Sequence, residues 1–191
     1  MESTEKTVWF AMRATYRREL EARRVLEESG IGCFIPMCYR QRQRGARRVR
    51  ELVPVVRNLV FVHATVSSLR RVKERLPYLQ YIMDGRSGRK IIVPEEQMRR
   101  FVAVAGTYND QLLYFKPGEV NLERGTRVRV TGGEFEGQEG VFVKVKGARD
   151  RRVVVAIRGV IAVALATVHP DLIEPLPPAE KEKGRKAAHE A

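Results

Sequence analysis

The spacing of hydrophobic residues along the first hundred residues alternates between strand and helix patterns. Residues 8–14 are apolar and alternate in a way that is typical of a strand, and residues 58–64 are almost wholly apolar, which is typical of a well-buried strand. Between and after them, apolar positions recur at helical spacing in three segments, at residues 17–30, 66–76 and 95–105. Gly30 provides a stop for the first of these helices.

The remaining apolar segments of this half complete the predicted sheet. Residues 31–39 predict another strand, in which Pro36 favours an edge position or a bulge. Residues 81–94 predict a hairpin or extended pair. The order β-α-β-β-α-β followed by a helix predicts an α+β domain of ferredoxin type, with an antiparallel sheet and its helices on one face.

The pattern changes after residue 105. Residues 106–121 break the periodicity, and residues 122–176 contain short strand patterns separated by glycines, which predict a small all-β barrel. Residues 161–168 fit a strand or a helix equally well, because alanines dilute the β-branched signal. The predicted barrel core is drawn from Val128, Val130, Val141, Val143, Val154 and Ile157.

These patterns divide the chain into five parts. The predicted boundaries are a flexible N-terminus at 1–7, an α+β domain at 8–106, a linker at 107–121, an all-β domain at 122–176 and a disordered tail at 177–191.

The charge of the chain narrows the classes of partner. The 36 lysines and arginines exceed the 23 acidic residues, giving a formal net charge of +13 in which arginine dominates. Such a field attracts nucleic acid or an acidic protein surface. A membrane surface is disfavoured, because the sequence lacks a basic amphipathic helix with a broad aromatic face.

Catalytic and metal-binding patterns are absent from the sequence. Cys33 and Cys38 lack zinc-site spacing and are predicted to be reduced and at least partly buried. The three histidines, His63, His169 and His189, form no readable triad with them, and no phosphate-binding glycine loop occurs. We therefore expect no enzyme, cofactor or metal, and the N-terminus, which has no apolar signal region, predicts a cytoplasmic protein.

Two groups of arginines are candidate nucleic-acid contacts. In residues 40–50 the first group alternates along a predicted strand, with Gly45 at a hairpin tip. The group comprises Arg40, Arg42, Arg44, Arg47 and Arg48, followed by Arg50. This first group either contacts nucleic-acid phosphates or lies in a solvated loop. Clustered guanidiniums repel one another unless an anion neutralises them, which favours the contact. The second group, on the first helix, includes Arg17, Arg18 and Arg24; there a solvated face with i,i+4 Glu–Arg pairs explains the pattern equally well.

Residues 127–147 contain the most specific motif. Two alternating strand patterns flank a turn rich in glycine, which allows tight turns and close backbone approach. The stretch resembles a KOW motif, and its characteristic positions are Val128, Val130, Gly132, Gly133, Phe135, Gly137, Gly140 and Val141.

The whole order of motifs resembles the NusG family of transcription elongation factors, which have an N-terminal NGN domain and a C-terminal KOW domain. The resemblance is carried by Trp9 and Phe10, by residues 33–37 and 58–62, and by the KOW motif. Cys33–Met37 and Asn58 are similar to the specialised antiterminator RfaH. Residues 108–115 resemble most closely the UpxY-type antiterminators of capsular polysaccharide operons.

The resemblance implies a non-enzymatic factor that binds the clamp region of RNA polymerase and suppresses pausing or termination. It also implies contact with non-template DNA or nascent RNA, and recruitment of a ribosomal protein or termination factor by the KOW domain. The polymerase-binding positions it implies are Val56, Asn58, Leu59, Ser67, Ser68, Arg70 and Arg71. Val56 and Leu59 stand where relatives usually carry aromatic residues. The alternative is a ribosome-associated RNA-binding protein with a KOW domain.

Overall fold

The computed structural model describes residues 5–166 and 168–177. Residues 1–4 of the predicted flexible N-terminus and residues 178–191 of the predicted disordered tail lie outside the described residues.

Among the described residues the first half contains ten α-helices and strands, against seven in the predicted order. They are β1 (Val8–Ala14), α1 (Glu19–Glu28), β2 (Gly32–Phe34), β3 (Met37–Arg44), β4 (Arg47–Pro54), β5 (Leu59–Ala64), α2 (Val66–Lys73), β6 (Leu79–Tyr81), β7 (Ile92–Val93) and α3 (Glu95–Ala105). The predicted strand at 31–39 divides at Ile35 and Pro36 into two strands of different sheets, and residues 47–54 and 92–93 form further strands. Helix α3 has the predicted bounds, because Pro94 fixes its start and Gly106 follows its end.

The first sheet is antiparallel and has the order β2-β5-β1-β6, with β7 also paired to β1. Phe10 and Met12 of β1 face a cluster that contains α1 and α2, whereas Ala11 faces the cluster that contains α3. The prediction that all helices lie on one face is therefore wrong. Strand β5 is buried on both sides, so its sheet needs cover on both faces.

The second half forms a six-stranded antiparallel sheet in the order β13-β9-β10-β11-β12-β8. Its strands are β8 (Leu113–Phe115), β9 (Thr126–Val130), β10 (Glu139–Lys144), β11 (Arg151–Ile157), β12 (Ile161–Ala164) and β13 (Ile173–Pro175). The ambiguous segment at 161–168 thus begins as a strand, and β8 lies inside the segment predicted to be a linker. Among the described residues no pairing joins the end strands β8 and β13, so a closed barrel is not confirmed.

The two halves share one hydrophobic core. Phe61 of the first sheet and Phe101 of α3 belong to the same buried cluster as Val155 and Ile157 of β11. Helix α3 lies between the sheets and contacts β1, β11 and β12. In this arrangement the second half packs against the first through α3 and the shared core.

The predicted barrel core is divided between the two faces of the second sheet. Val128 pairs with Gly140 and faces the shared core, whereas Val141 pairs with Val154 and faces the opposite side. The prediction of one common core was wrong for two reasons. The register between β9 and β10, which the sequence does not display, decides which of their valines share a face. In addition, Val154 and Ile157 lie three residues apart in β11, so they face opposite sides.

Candidate nucleic-acid interface

Strands β3 and β4 form a separate two-stranded ribbon whose faces differ in charge. The register pairs Arg40 with Glu51, Arg42 with Val49 and Arg44 with Arg47. Directly paired residues share a face, so four predicted nucleic-acid contacts lie on one side. We call this side the arginine face: Arg40, Arg42, Arg44 and Arg47. The predicted alternation and the tip at Gly45, which has φ of 62°, are confirmed.

The arginine face carries an excess of positive charge. Its acidic residue, Glu51, lies 3.6 Å from Arg42 Nε and 3.4 Å from Arg44 Nη2. Both arginine side chains remain largely exposed, at 64% and 70%. Arg40 and Arg47 have no carboxylate partner among the described residues. Arg40 and Arg47 can therefore accept anionic groups without first breaking an internal ion pair.

The other face of the ribbon has a structural role at its base. Arg50 donates to Asp110 Oδ2 at 2.9 Å, and its guanidinium lies 4.1 Å from the centre of the Tyr39 ring. Tyr39 meets Tyr108 edge to face. Arg48 lies on this face and is exposed. These contacts hold the ribbon against residues 108–110, so that the arginine face projects from a fixed base.

The arginines of the first helix are mostly engaged within the protein. Arg18 donates to Glu21 at 2.6 Å and lies over the Tyr78 ring, and Arg24 pairs with Glu28 at 3.3 Å. The hydrogen bond that Arg18 donates to the Glu21 carboxylate raises the pKa of Arg18. Solvated internal pairs therefore account for Arg18 and Arg24, whereas Arg17 is exposed and has no carboxylate partner among the described residues.

The predicted polymerase-binding positions differ in accessibility. Leu59 is only 4% exposed and belongs to the shared core. Val56 is half-buried and lines a groove of about 760 Å³, together with residues that include Tyr39 and Tyr114. A partner reaches Val56 in this arrangement, but it reaches Leu59 only if the shared core opens.

A buried carboxylate holds Asn58 in place. Asn58 has φ of 69°, and its backbone N–H donates to Glu19 Oε1 at 2.6 Å. Glu19 is 3% exposed. The Asn58 side-chain oxygen in turn accepts from the Arg17 N–H at 2.9 Å. Asn58 therefore links the loop before β5 to the loop before α1.

The predicted positions at the start of α2 form a capped helix terminus. Thr65 is the N-cap and accepts from the Ser68 N–H at 3.1 Å. The Glu5 carboxylate accepts from the Ser67 N–H at 3.1 Å, and the hydrogen bonds from Ser67 lower the pKa of Glu5. Arg70 and Arg71 are exposed and have no carboxylate partner among the described residues.

The glycines of the KOW-like motif have two different roles. Gly133 and Gly137 have φ of 81° and 78°, which a residue with a Cβ adopts reluctantly. Gly140 has no such angle, but a Cβ there would lie 2.6 Å from the Val154 carbonyl oxygen. Phe135 is buried and closes the turn onto the shared core.

Glu139 is a contact between the halves that sequence reasoning missed. Its carboxylate, 15% exposed, lies 2.7 Å from Arg129 and 3.7 Å from Arg127 of β9, and 2.8 Å from Arg100 of α3. The hydrogen bond from Arg129 and the charge of Arg100 lower the pKa of Glu139, against the effect of burial. The sequence could not predict this ion pair, because Arg100 and Glu139 lie far apart in the chain.

The described residues provide no metal-binding cluster of three or more His, Cys, Asp or Glu side chains. Cys33 and Cys38 are free and partly buried, as predicted. Burial raises the pKa of the Cys33 thiol to about 11. No helix in the described ranges is long and apolar enough to cross a membrane.

A family model described as transcription termination factor nusG matches residues 7–102, which is half of the chain. The chain belongs to the NusG family. A solved structure, described as domain interaction in Thermotoga maritima NusG, is 23% identical to it. That similarity covers 90% of this chain and 98% of the other, with a TM-score of 0.45. No curated protein matches the chain.

Membership of the NusG family supports a general role in transcription elongation or antitermination. NusG proteins are non-enzymatic transcription factors that bind RNA polymerase.

Proposed function

We propose that this NusG-family protein binds the clamp region of RNA polymerase through its first half and suppresses pausing or termination. The arginine face would hold the non-template DNA or nascent RNA of the same complex. The observation that carries this proposal is the arginine face itself, where four guanidiniums lie on one side of the ribbon and the carboxylate of Glu51 pairs with only two of them. Phosphate groups neutralise such a cluster and release counterions from the nucleic acid.

The resemblance of residues 108–115 to UpxY-type antiterminators supports a specialised role in polysaccharide operons. Part of this segment anchors the ribbon, since Tyr108 contacts Tyr39 and Asp110 pairs with Arg50. The second sheet, which contains the KOW-like motif, would recruit a ribosomal protein or a termination factor. If the chain were instead a ribosomal RNA-binding protein, it would co-sediment with ribosomes rather than with polymerase.

The polymerase surface is best tested at Val56, because it is accessible without opening the core. We expect Val56→Asp to weaken capture of the full chain by purified polymerase at least tenfold while the circular dichroism spectrum stays unchanged. Ile92→Asp, at a more exposed apolar residue outside the groove, is the control for an added charge and should bind like the wild type. Leu59 is unsuitable for this test, because a charge at a 4% exposed position would unfold the core.

The functional consequence is tested by transcription on a template with a pause site and a terminator. We expect the wild type to shorten pauses and increase read-through, and Val56→Asp to lose both effects. Equal pausing with and without the wild-type protein, despite stable binding to polymerase, would refute the antitermination role.

A further inference from the structure

Tyr16 is presented to solvent in an unusual way. Its side chain is 86% exposed, whereas the next most exposed large apolar side chain among the described residues, Ile92, is 52% exposed. Tyr16 lies in a short 3-10 turn between β1 and α1. The ring is thus an apolar surface that the described part of the fold leaves uncovered.

The backbone under this ring is held in a rarely adopted conformation. Tyr16 and Arg17 have φ of 61° and 58°, and both are in the left-handed region that residues with a Cβ avoid. Asn58, which contacts Arg17, also has a positive φ. Such conformations persist only where the surrounding structure imposes them, and they concentrate at functional positions.

The surrounding structure does impose this conformation. The Asn58 side chain accepts from the Arg17 N–H at 2.9 Å, and the Asn58 carbonyl accepts from the Ala14 N–H at 2.8 Å. Glu19, buried at 3% exposure, fixes Asn58 through its backbone N–H. Tyr16 therefore projects from a braced turn, so little backbone freedom remains to be lost when a ligand covers its ring.

The charges near the turn favour an anionic ligand. Arg13, Arg17 and Arg57 are exposed, and none has a carboxylate partner among the described residues. Arg18 is different, because Glu21 neutralises it.

Arg17 follows Tyr16 in the chain, and Arg13 comes three residues before it. Arg57 precedes Asn58, which contacts the turn. Proteins that bind single-stranded nucleic acid combine an aromatic ring for a base with cations for the phosphates.

We infer that Tyr16 is a stacking platform for an unpaired base of single-stranded DNA or RNA, with Arg17 and its neighbours holding the adjacent phosphates. The inference rests on the proposed function for the source of that strand in an elongation complex. A protein partner is less well matched, since hot-spot aromatics are surrounded by other packed contacts. Apart from Leu20, at 49% exposure, the residues near Tyr16 in sequence offer charge rather than apolar surface.

The test compares a short deoxythymidine homopolymer with an abasic chain of the same length, using the full protein without polymerase. Both chains carry the same phosphates, so a difference in affinity measures contact with bases. We expect the wild type to prefer the base-containing chain about tenfold, in line with stacking of one base on an aromatic ring. Tyr16→Ala should abolish this preference, and Tyr16→Phe should retain it.

Met83→Ala, at a residue 51% exposed, is the control for loss of an exposed apolar side chain and should behave like the wild type. Affinity for a duplex of the same length should not change in Tyr16→Ala, because paired bases cannot reach the ring. A wild type that binds both single strands equally would overturn the inference. So would a Tyr16→Ala variant that keeps the base preference but is no longer captured by polymerase, since the ring would then contact protein. Polymerase capture is measured separately, so failure of the proposed function is distinguishable from failure of this site.

Discussion

At the scale of single residues, the same amino acid has different physical roles at neighbouring positions. Gly133 and Gly137 provide backbone angles, whereas Gly140 provides space beside the Val154 carbonyl. The sequence shows only that all three are glycines. The distinction matters for substitution, because a steric contact with backbone cannot relax as a side-chain contact can.

We expect Gly140→Ala to destabilise the protein by about 1–3 kcal/mol, the range for overpacking a closely packed site. The added Cβ would meet backbone oxygen at 2.6 Å, so β10 or β11 must shift. Gly85→Ala is the matched control, because Gly85 has no positive φ and nothing lies within 4 Å of its added Cβ. Urea unfolding measures the stability of both variants. Equal midpoints would show that β10 and β11 accommodate the added Cβ without loss of free energy of unfolding.

The Cys33 thiol should be unreactive in the folded protein. Its pKa, raised by burial from 9.0 to about 11, leaves little thiolate near neutral pH, and the thiolate is the form that reacts with alkylating agents. We expect alkylation by iodoacetamide to be slow at pH 7 and to accelerate as the pH rises towards the raised pKa. Mass spectrometry of the native and urea-unfolded protein measures the rate. Equal rates in the two states would contradict the burial of this thiol.

Residue roles were the least predictable part of the candidate site. The sequence identified the right arginines as a group, but it could not show that Arg18 is neutralised by Glu21 while Arg17 remains free. Tyr16 was not identified at all, because solvent exposure and a positive φ leave no signature in a tyrosine. Leu59 was assigned to a binding surface, yet it is buried because strand β5 is covered on both faces.

At the scale of elements, prediction from sequence was most successful where the pattern was local. Strand β1 and helix α3 have the predicted bounds, since each depends on its own periodicity and its flanking residues. The ribbon also follows directly from alternation around Gly45. The length of the ribbon matters for function. Every second residue of a strand lies on the same face, about 7 Å further along, so the guanidiniums of the arginine face are spaced along a line.

The two faces of the ribbon give a direct test of nucleic-acid binding. We expect Arg40→Ser, Arg42→Ser and Arg47→Ser together to flatten the slope of log affinity against log salt on an assembled elongation complex. Each lost contact with a phosphate of a single strand changes that slope by about 0.7. The affinity for different sequences should fall about equally, because phosphate contacts carry no sequence information.

Arg48→Ser is the control on the opposite face of the ribbon, where its removal should change the slope little. An unchanged slope in the triple variant would mean that the arginine face is merely solvated. Equal effects of Arg48→Ser and of one substitution on the arginine face would mean that the charge of the ribbon matters but its orientation does not.

At the scale of the whole molecule, the arrangement of the halves could not be predicted from sequence. Composition suggested a linker at 107–121, but Leu113–Phe115 pairs with β12, and α3 packs between the two sheets. Contacts between distant segments, such as Arg100 with Glu139, depend on three-dimensional packing that no local pattern encodes. The sequence identified the mixed α/β first half and the strand-rich second half, but it missed the division of residues 31–39 into two strands and the grouping of both halves around one shared core.

The shared core predicts that both halves unfold as one cooperative unit. Ile157 is 2% exposed and belongs to the cluster that includes Phe61 and Phe101. We expect Ile157→Asp to destabilise the chain by at least about 3 kcal/mol, because an unpaired charge is buried. Native-state amide exchange should show equal loss of protection in β5, α3 and β11.

Arg158→Ser provides the control at the adjacent exposed position and should leave exchange unchanged in all three elements. If Ile157→Asp instead reduced protection in β11 while β5 and α3 kept theirs, the second sheet would fold as an independent domain.

The exchange pattern matters for the proposed function, because a partner reaches Leu59 only when the shared core opens. Under cooperative unfolding that opening exposes the cores of both halves together, which is costly without a partner. Independent folding would allow the second sheet to detach while the first half stays intact, so the same experiment determines whether Leu59 can be uncovered without unfolding the first half.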